Sequence, residues 1–182
     1  MMMEFPTITK CIKCHTIFWF KNAKQIGKSS WLDELKDDNE NIQHANFLTI
    51  QEYFEALEKK VYQSAGEERD LRISIWWIFN DRVRHVDEKH KLRKQHVPFQ
   101  FLSDDEKKQW EENTYYLIGM LDQGNSDDWI MMAELNRNTG KFDRCMEIIH
   151  SIEDENLNWL KQMFDKKCKN KDPFVFQLNP KE

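Results

Sequence analysis

The sequence predicts a mainly α-helical fold, a bundle of about six helices carrying a small β-knuckle at its N-terminus. Three observations lead there. Only five glycines and four prolines punctuate the 182 residues, and no proline lies between Pro98 and Pro173, which suits long helices better than a sheet that turns every ten residues or so. Apolar residues recur at helical spacing through most of 49–170. The N-terminal stretch instead places β-branched and aromatic residues on both sides of a C-x-x-C, a pattern of short strands. This length suits one hydrophobic core. A single domain is expected, made of a β-knuckle segment (1–26), a connection (27–48), a helical body (49–170) and an extended tail (171–182).

In order along the chain, TITKCIKCHTIFWF at 7–20 reads as two strands meeting at a cysteine turn. Gly27, Ser29, Ser30 and the acidic run Asp33, Glu34, Asp37, Asp38 and Glu40 read as a long connection, with a short turn of helix around Trp31 to Leu35. Thr49 and Glu52 have capping-box spacing and open a helix from about Ile50 to Ser64, with Ile50, Phe54, Leu57 and Val61 on one face. After Gly66, Leu71, Ile75, Ile78, Phe79 and Val83 share the apolar face of a second helix. Arg69, Arg72 and Trp76 fall off that face, and the helix is expected to continue through the basic stretch towards Pro98.

Ser103 and Glu106 repeat the capping-box spacing before a helix that turns Trp110, Leu117 and Leu121 inward and ends by Gly124. Ser126 is expected to cap a fourth helix whose first turn holds Asp127 and Asp128, where the helix dipole favours negative charge. That helix ends near Gly140, and Phe142 to His150 returns antiparallel to it. A sixth helix covers about Asp154 to Lys169, with Leu157, Leu160 and Phe164 in register. Phe174 to Phe176 form an extended tail that packs on, or pairs with, the N-terminal strands.

Charged residues make up 32% of the chain and aromatics 13%, which excludes both an apolar membrane protein and a disordered polar chain. No basic leader with an apolar run opens it, and no window reaches the roughly 20 apolar residues that span a bilayer. A cytoplasmic protein without membrane attachment is expected. Cys11, Cys14, Cys145 and Cys168 are then reduced thiols or metal ligands, because the cytosol keeps disulfides open. The net charge of −5 argues against broad nucleic-acid binding, although Arg82, Arg84, Lys89, Lys91, Arg93 and Lys94 form a basic stretch with His85, His90 and His96.

The stretch from Trp129 to Ile152 resembles one tetratricopeptide repeat, with Trp129, Met132, Ala133, Gly140, Phe142, Cys145 and Ile149 at the matching spacings and Asn136 where an aromatic is usual. The resemblance implies a helical hairpin whose small Ala133 and Cys145 let two helices approach closely, and it points weakly to peptide binding. No second copy lies at a 34-residue offset, so the concave groove of a repeat array is not implied. The N-terminus resembles the first knuckle of a zinc ribbon: Cys11 and Cys14 precede Thr16 to Phe20, as the cysteines precede a strand there. A cysteine knuckle joined to a helical body also resembles families of small bacterial proteins, a resemblance that brings no activity with it.

The candidate sites follow from these patterns. Cys11 and Cys14 are the candidate zinc ligands, and His15, His44, His85, His90, His96, Cys145 and Cys168 are the available sources of the missing two. A metal-free knuckle is the alternative, so the cofactor is zinc or none. Cys11 to His15 also satisfies the C-x-x-C-H haem-attachment pattern, which needs export, and a thioredoxin-like pair would need a helix after the first cysteine. Trp77, Asn80 and Arg84 fall at i, i+3 and i+7, where an aromatic face beside a guanidinium suits a ligand or partner; the competing reading puts the tryptophans in the core.

No nucleophile motif or glycine-rich phosphate loop occurs, and the carboxylates sit mainly at helix starts and on polar faces. The expectation is a protein-interaction or adaptor module that binds another protein. The alternatives are a zinc-binding, nucleic-acid-associated protein using the knuckle and the Arg82 to Lys94 stretch, and a small-molecule enzyme needing a concave pocket at Trp77, Asn80 and Arg84.

Overall fold

The computed structural model describes residues 6–24, 45–82, 101 and 103–176. Strands β1 (Ile8–Lys10) and β2 (Ile17–Trp19) pair antiparallel, Ile8 opposite Trp19 and Lys10 opposite Ile17. Helices α1 (Ile50–Glu58), α2 (Ala65–Asp81), α3 (Asp104–Gly119), α4 (Ser126–Asn138), α5 (Phe142–His150) and α6 (Asn158–Lys169) follow. The fold is mainly helical with a small two-stranded sheet, as the sequence predicts. Two compact units divide the chain, Met1–Leu71 and Arg72–Glu182, with the division inside α2. The acidic run, the basic stretch beyond Arg82 and the expected turn around Trp31 lie outside the described residues.

In the first unit, Ile8, Ile17, Trp19, Leu48, Ile50, Tyr53 and Ala56 are buried. The Trp19 indole donates to the Val61 carbonyl (2.7 Å), the Thr9 hydroxyl donates to Asn46 (2.8 Å), and Lys10 pairs with Glu52 and Glu55. Thr49 and Glu52 form the expected capping box. Helix α1 stops at Glu58 instead of running to Ser64, because Lys60 turns left-handed (φ 50°) and Val61 N–H bonds back to Ala56 (2.9 Å). This is the closure glycine usually makes, and lysine hides it from a sequence reading.

In the second unit the core joins Trp76, Leu117, Met132, Ala133, Leu135, Cys145, Ile149, Leu160 and Phe164. Trp76 is thus a core residue, not an off-face one: its ring is buried and its N–H donates to Asn138 Oδ1 (2.9 Å). Helix α2 covers Ala65–Asp81, and the stretch over which the sequence extends it towards Pro98 lies outside the described residues. Ser103 caps α3 alone, since Glu106 turns its carboxylate to Arg82 (2.9 Å to each oxygen) in place of the capping box, and α3 ends at Gly119, short of Gly124. Asn125, not Ser126, caps α4, its side-chain oxygen accepting from Asp127 and Asp128 N–H. Helices α4 and α5 are joined by the turn 139–141, with Gly140 left-handed at φ 76°, and Ala133 and Cys145 are fully buried. A 3₁₀ turn, Glu155–Leu157, precedes α6, which buries Leu160, Phe164 and Cys168 at every fourth position.

Candidate functional site

The last turn of α4 builds the site by holding the C-terminal tail. Arg137 is fully buried, and its guanidinium donates to the carbonyls of Asp172 and Phe174 (2.7 Å each) and to the Glu134 carboxylate (3.2 Å). The Phe176 ring lies 4.8 Å below that guanidinium and 5.5 Å from Phe164. Arginine suits this place because its planar, fixed fork satisfies several acceptors at once. Asn138, next in sequence, accepts from Trp76 and donates to the Pro173 carbonyl (2.5 Å). Burial pushes the Asp172 carboxyl up, but the Lys167 ammonium (2.7 Å) and the Phe174 N–H outweigh it and hold the group below its ordinary value. The tail is therefore fixed by α4 and α6 within its own unit, and the described sheet consists of β1 and β2, with no strand from the tail.

Between this tail and α3 lies a cleft of about 350 Å³, lined by Asn80, Phe101, Trp110, Asn138, Thr139 and Pro173 to Val175, with Lys107 and Glu111 also on its lining. Phe101 and Trp110, with centroids 5.4 Å apart, make one side aromatic, and the fully buried Phe79 packs against both rings at 5.8 and 6.4 Å. Lys107 and Glu111, both exposed, stand 4.0 Å apart, so their charges cancel locally. Asn138 and Thr139 are already bonded to main-chain or side-chain partners. Asn80 is different. It is only 7% exposed, and its Nδ2 has no hydrogen-bond partner among the described residues.

Of the residues that the sequence singled out together, Asn80 lines the cleft, Trp77 packs half-buried against the core, and Arg84 lies outside the described residues. The aromatic lining that shares the cleft with Asn80 comes from Phe101 and from Trp110, which the sequence assigns to the core alone. Arg137 and Asn138 were also missed. Their signal was an arginine and an asparagine close behind the buried Ala133 and Leu135, in a helix turn with apolar neighbours.

Cys11 and Cys14 stand on the turn 11–16 between β1 and β2. Cys11 N–H bonds to the Thr16 carbonyl (2.9 Å) and His15 N–H to the Cys11 carbonyl (2.7 Å), while His15 adopts a left-handed φ of 58° that brings the chain back on itself. The Cys14 thiol donates to the Thr16 hydroxyl (3.3 Å). The Thr16 hydroxyl first, then its N–H and the Cys11 thiol, lower the Cys14 pKa to about 7. Cys145 and Cys168 contact each other inside the second unit, and burial pushes both thiols up. Among the described residues no third histidine, cysteine or carboxylate joins Cys11 and Cys14.

No family model matches this chain, and no curated protein or solved structure shows significant similarity to it. Function is therefore read from the two sites themselves. Among the described residues no helix is long and apolar enough to cross a membrane.

Proposed function

We propose that the chain is a protein-interaction module and that the cleft of its second unit seats a short segment of a partner protein. The observation that carries this reading is the unpaired, buried amide of Asn80 at an aromatic cleft. An unpaired buried N–H costs about 1–3 kcal/mol, and folded proteins hold few of them. Such a cost persists where a binding event offsets it. The nitrogen is shut off from solvent, so an occupant reaches it once the amide turns about its last torsion. A partner's main-chain carbonyl then accepts from Asn80 while an apolar side chain fills the space beside Trp110 and Phe174. Tyr115 and Tyr116, exposed on α3 with Arg72 over the second ring (4.7 Å), add side chains of the kind enriched at protein interfaces.

The test is affinity capture with three baits: the wild-type chain, Asn80→Leu, and a Tyr115→Ser/Tyr116→Ser double variant. A partner recovered at near-stoichiometric yield by the wild type is expected to bind Asn80→Leu about tenfold more weakly, the loss of one hydrogen bond of roughly 1.4 kcal/mol. Equal capture by Asn80→Leu would remove the cleft as the seat. Loss only in the tyrosine variant would move the interface to the exposed face of α3.

A further inference from the structure

We propose that the occupant of the cleft is a proline-rich segment in the extended polyproline II conformation, with a pyrrolidine ring against Phe101 and Trp110 and a carbonyl accepting from Asn80. The inference rests on the reading of the cleft as the seat of a partner segment and adds the chemistry of that segment. The balance of donors and acceptors on the lining decides it. On the tail wall, the Phe174 carbonyl already accepts from Arg137 and the Pro173 carbonyl from Asn138. Asn138 Oδ1 accepts from Trp76, and the Thr139 hydroxyl turns back to the Leu135 and Asn136 carbonyls. Against these committed groups stands the Asn80 amide, 7% exposed, with Nδ2 unpaired. The cleft has a donor to offer, while its neighbouring acceptors are engaged elsewhere.

An ordinary peptide brings an N–H with every carbonyl, and an N–H laid on an aromatic wall loses its water without gaining an acceptor. Proline brings the carbonyl alone. Backbone conformation points the same way. A helix commits its interior carbonyls to its own ladder, and a strand needs a free edge that alternates donors with acceptors. Polyproline II has no internal hydrogen bonds, so its carbonyls stay available, and it is formed before binding. The Phe101 and Trp110 rings, 5.4 Å apart and inclined at 53°, supply the aromatic wall on which such segments dock. Lys107 and Glu111 stand 4.0 Å apart on the lining and cancel each other's charge, which suits an uncharged segment better than an acidic or basic one.

The experiment titrates the isotope-labelled full chain with three peptides that differ only in their central residues, which are proline, alanine or N-methylalanine, followed by nuclear magnetic resonance. The proline peptide is expected to shift the Trp110 indole and Asn80 amide signals, assigned by their loss in Trp110→Phe and Asn80→Leu. It should bind about tenfold more tightly than the alanine peptide, the effect of one stranded N–H. N-methylalanine, which removes the N–H without adding the ring, should recover much of that difference. Asn80→Leu, its fold checked by circular dichroism, should weaken the proline peptide about tenfold. Equal binding of the proline and alanine peptides, both weakened by Asn80→Leu, would overturn the proline assignment and leave the cleft as a peptide seat. Proline-peptide binding that Asn80→Leu does not weaken would overturn the placement. If no peptide binds while the wild-type bait still captures a partner that Asn80→Leu releases, the proline assignment falls and the cleft reading stands; if that capture fails as well, both fall.

Discussion

Replacing Asn80 with leucine should make the protein more stable, against the usual outcome of a core substitution. The two side chains have similar shape. Asn80 is 7% exposed and its Nδ2 is unpaired, so leucine removes a desolvated donor that costs about 1–3 kcal/mol. With a urea dependence of about 2 kcal/mol per M, the unfolding midpoint should rise by roughly 0.5–1.5 M, with an unchanged slope. The melting temperature should rise by about 2–4 °C per kcal/mol. Urea titration followed by far-ultraviolet circular dichroism measures both the midpoint and the slope. A lower midpoint would show that the Asn80 amide already holds a partner that leucine cannot replace. The polar seat in the cleft, and the binding role built on it, would then fall together.

Two other perturbations test the site's construction. Arg137→Met removes the donor shared by the Asp172 and Phe174 carbonyls and leaves both buried acceptors unsatisfied; it should cost about 3 kcal/mol and expose the chain beyond Lys171 to trypsin, seen as early cleavage in limited proteolysis. Cys14 should alkylate with iodoacetamide at a rate that rises with pH through about 7, since only the thiolate reacts, and Thr16→Val should move that midpoint upward; Cys145 and Cys168 should stay unmodified until the protein unfolds, read by mass spectrometry of tryptic peptides.

Where a local signal decides the backbone, the chain was legible. The Thr49 and Glu52 pair fixed the start of α1, and the run from Phe142 to His150 forms α5 with those bounds. Ends set by an unusual residue were not: Lys60 in the left-handed region stops α1, and Asn125 displaces Ser126 as the cap of α4 because its amide oxygen reaches two N–H groups. The side chain of Glu106 illustrates a tertiary override, leaving its capping role for the Arg82 guanidinium. At the site, helical spacing marked Asn80 as a polar residue on a tryptophan-rich helix. It had no means of bringing Pro173 to the same cleft, because that wall is placed only when Arg137 and Asn138 gather a tail 35 residues further on.

That separation sets an order of assembly. The helices α4, α5 and α6 meet through near neighbours in sequence and are quick to form, whereas the wall Pro173 to Val175 joins the cleft only after α6 is made and the Arg137 clamp has closed on it. During synthesis the helical body is thus in place before the cleft has its last wall. In the finished protein the same wall is held by a few carbonyl contacts and ring faces, so it opens at lower free energy than the helices behind it. Amide exchange at Phe174 and Val175 should outpace exchange in α4 and α6, so the clamp, and not the helices, decides how often the cleft loses its wall.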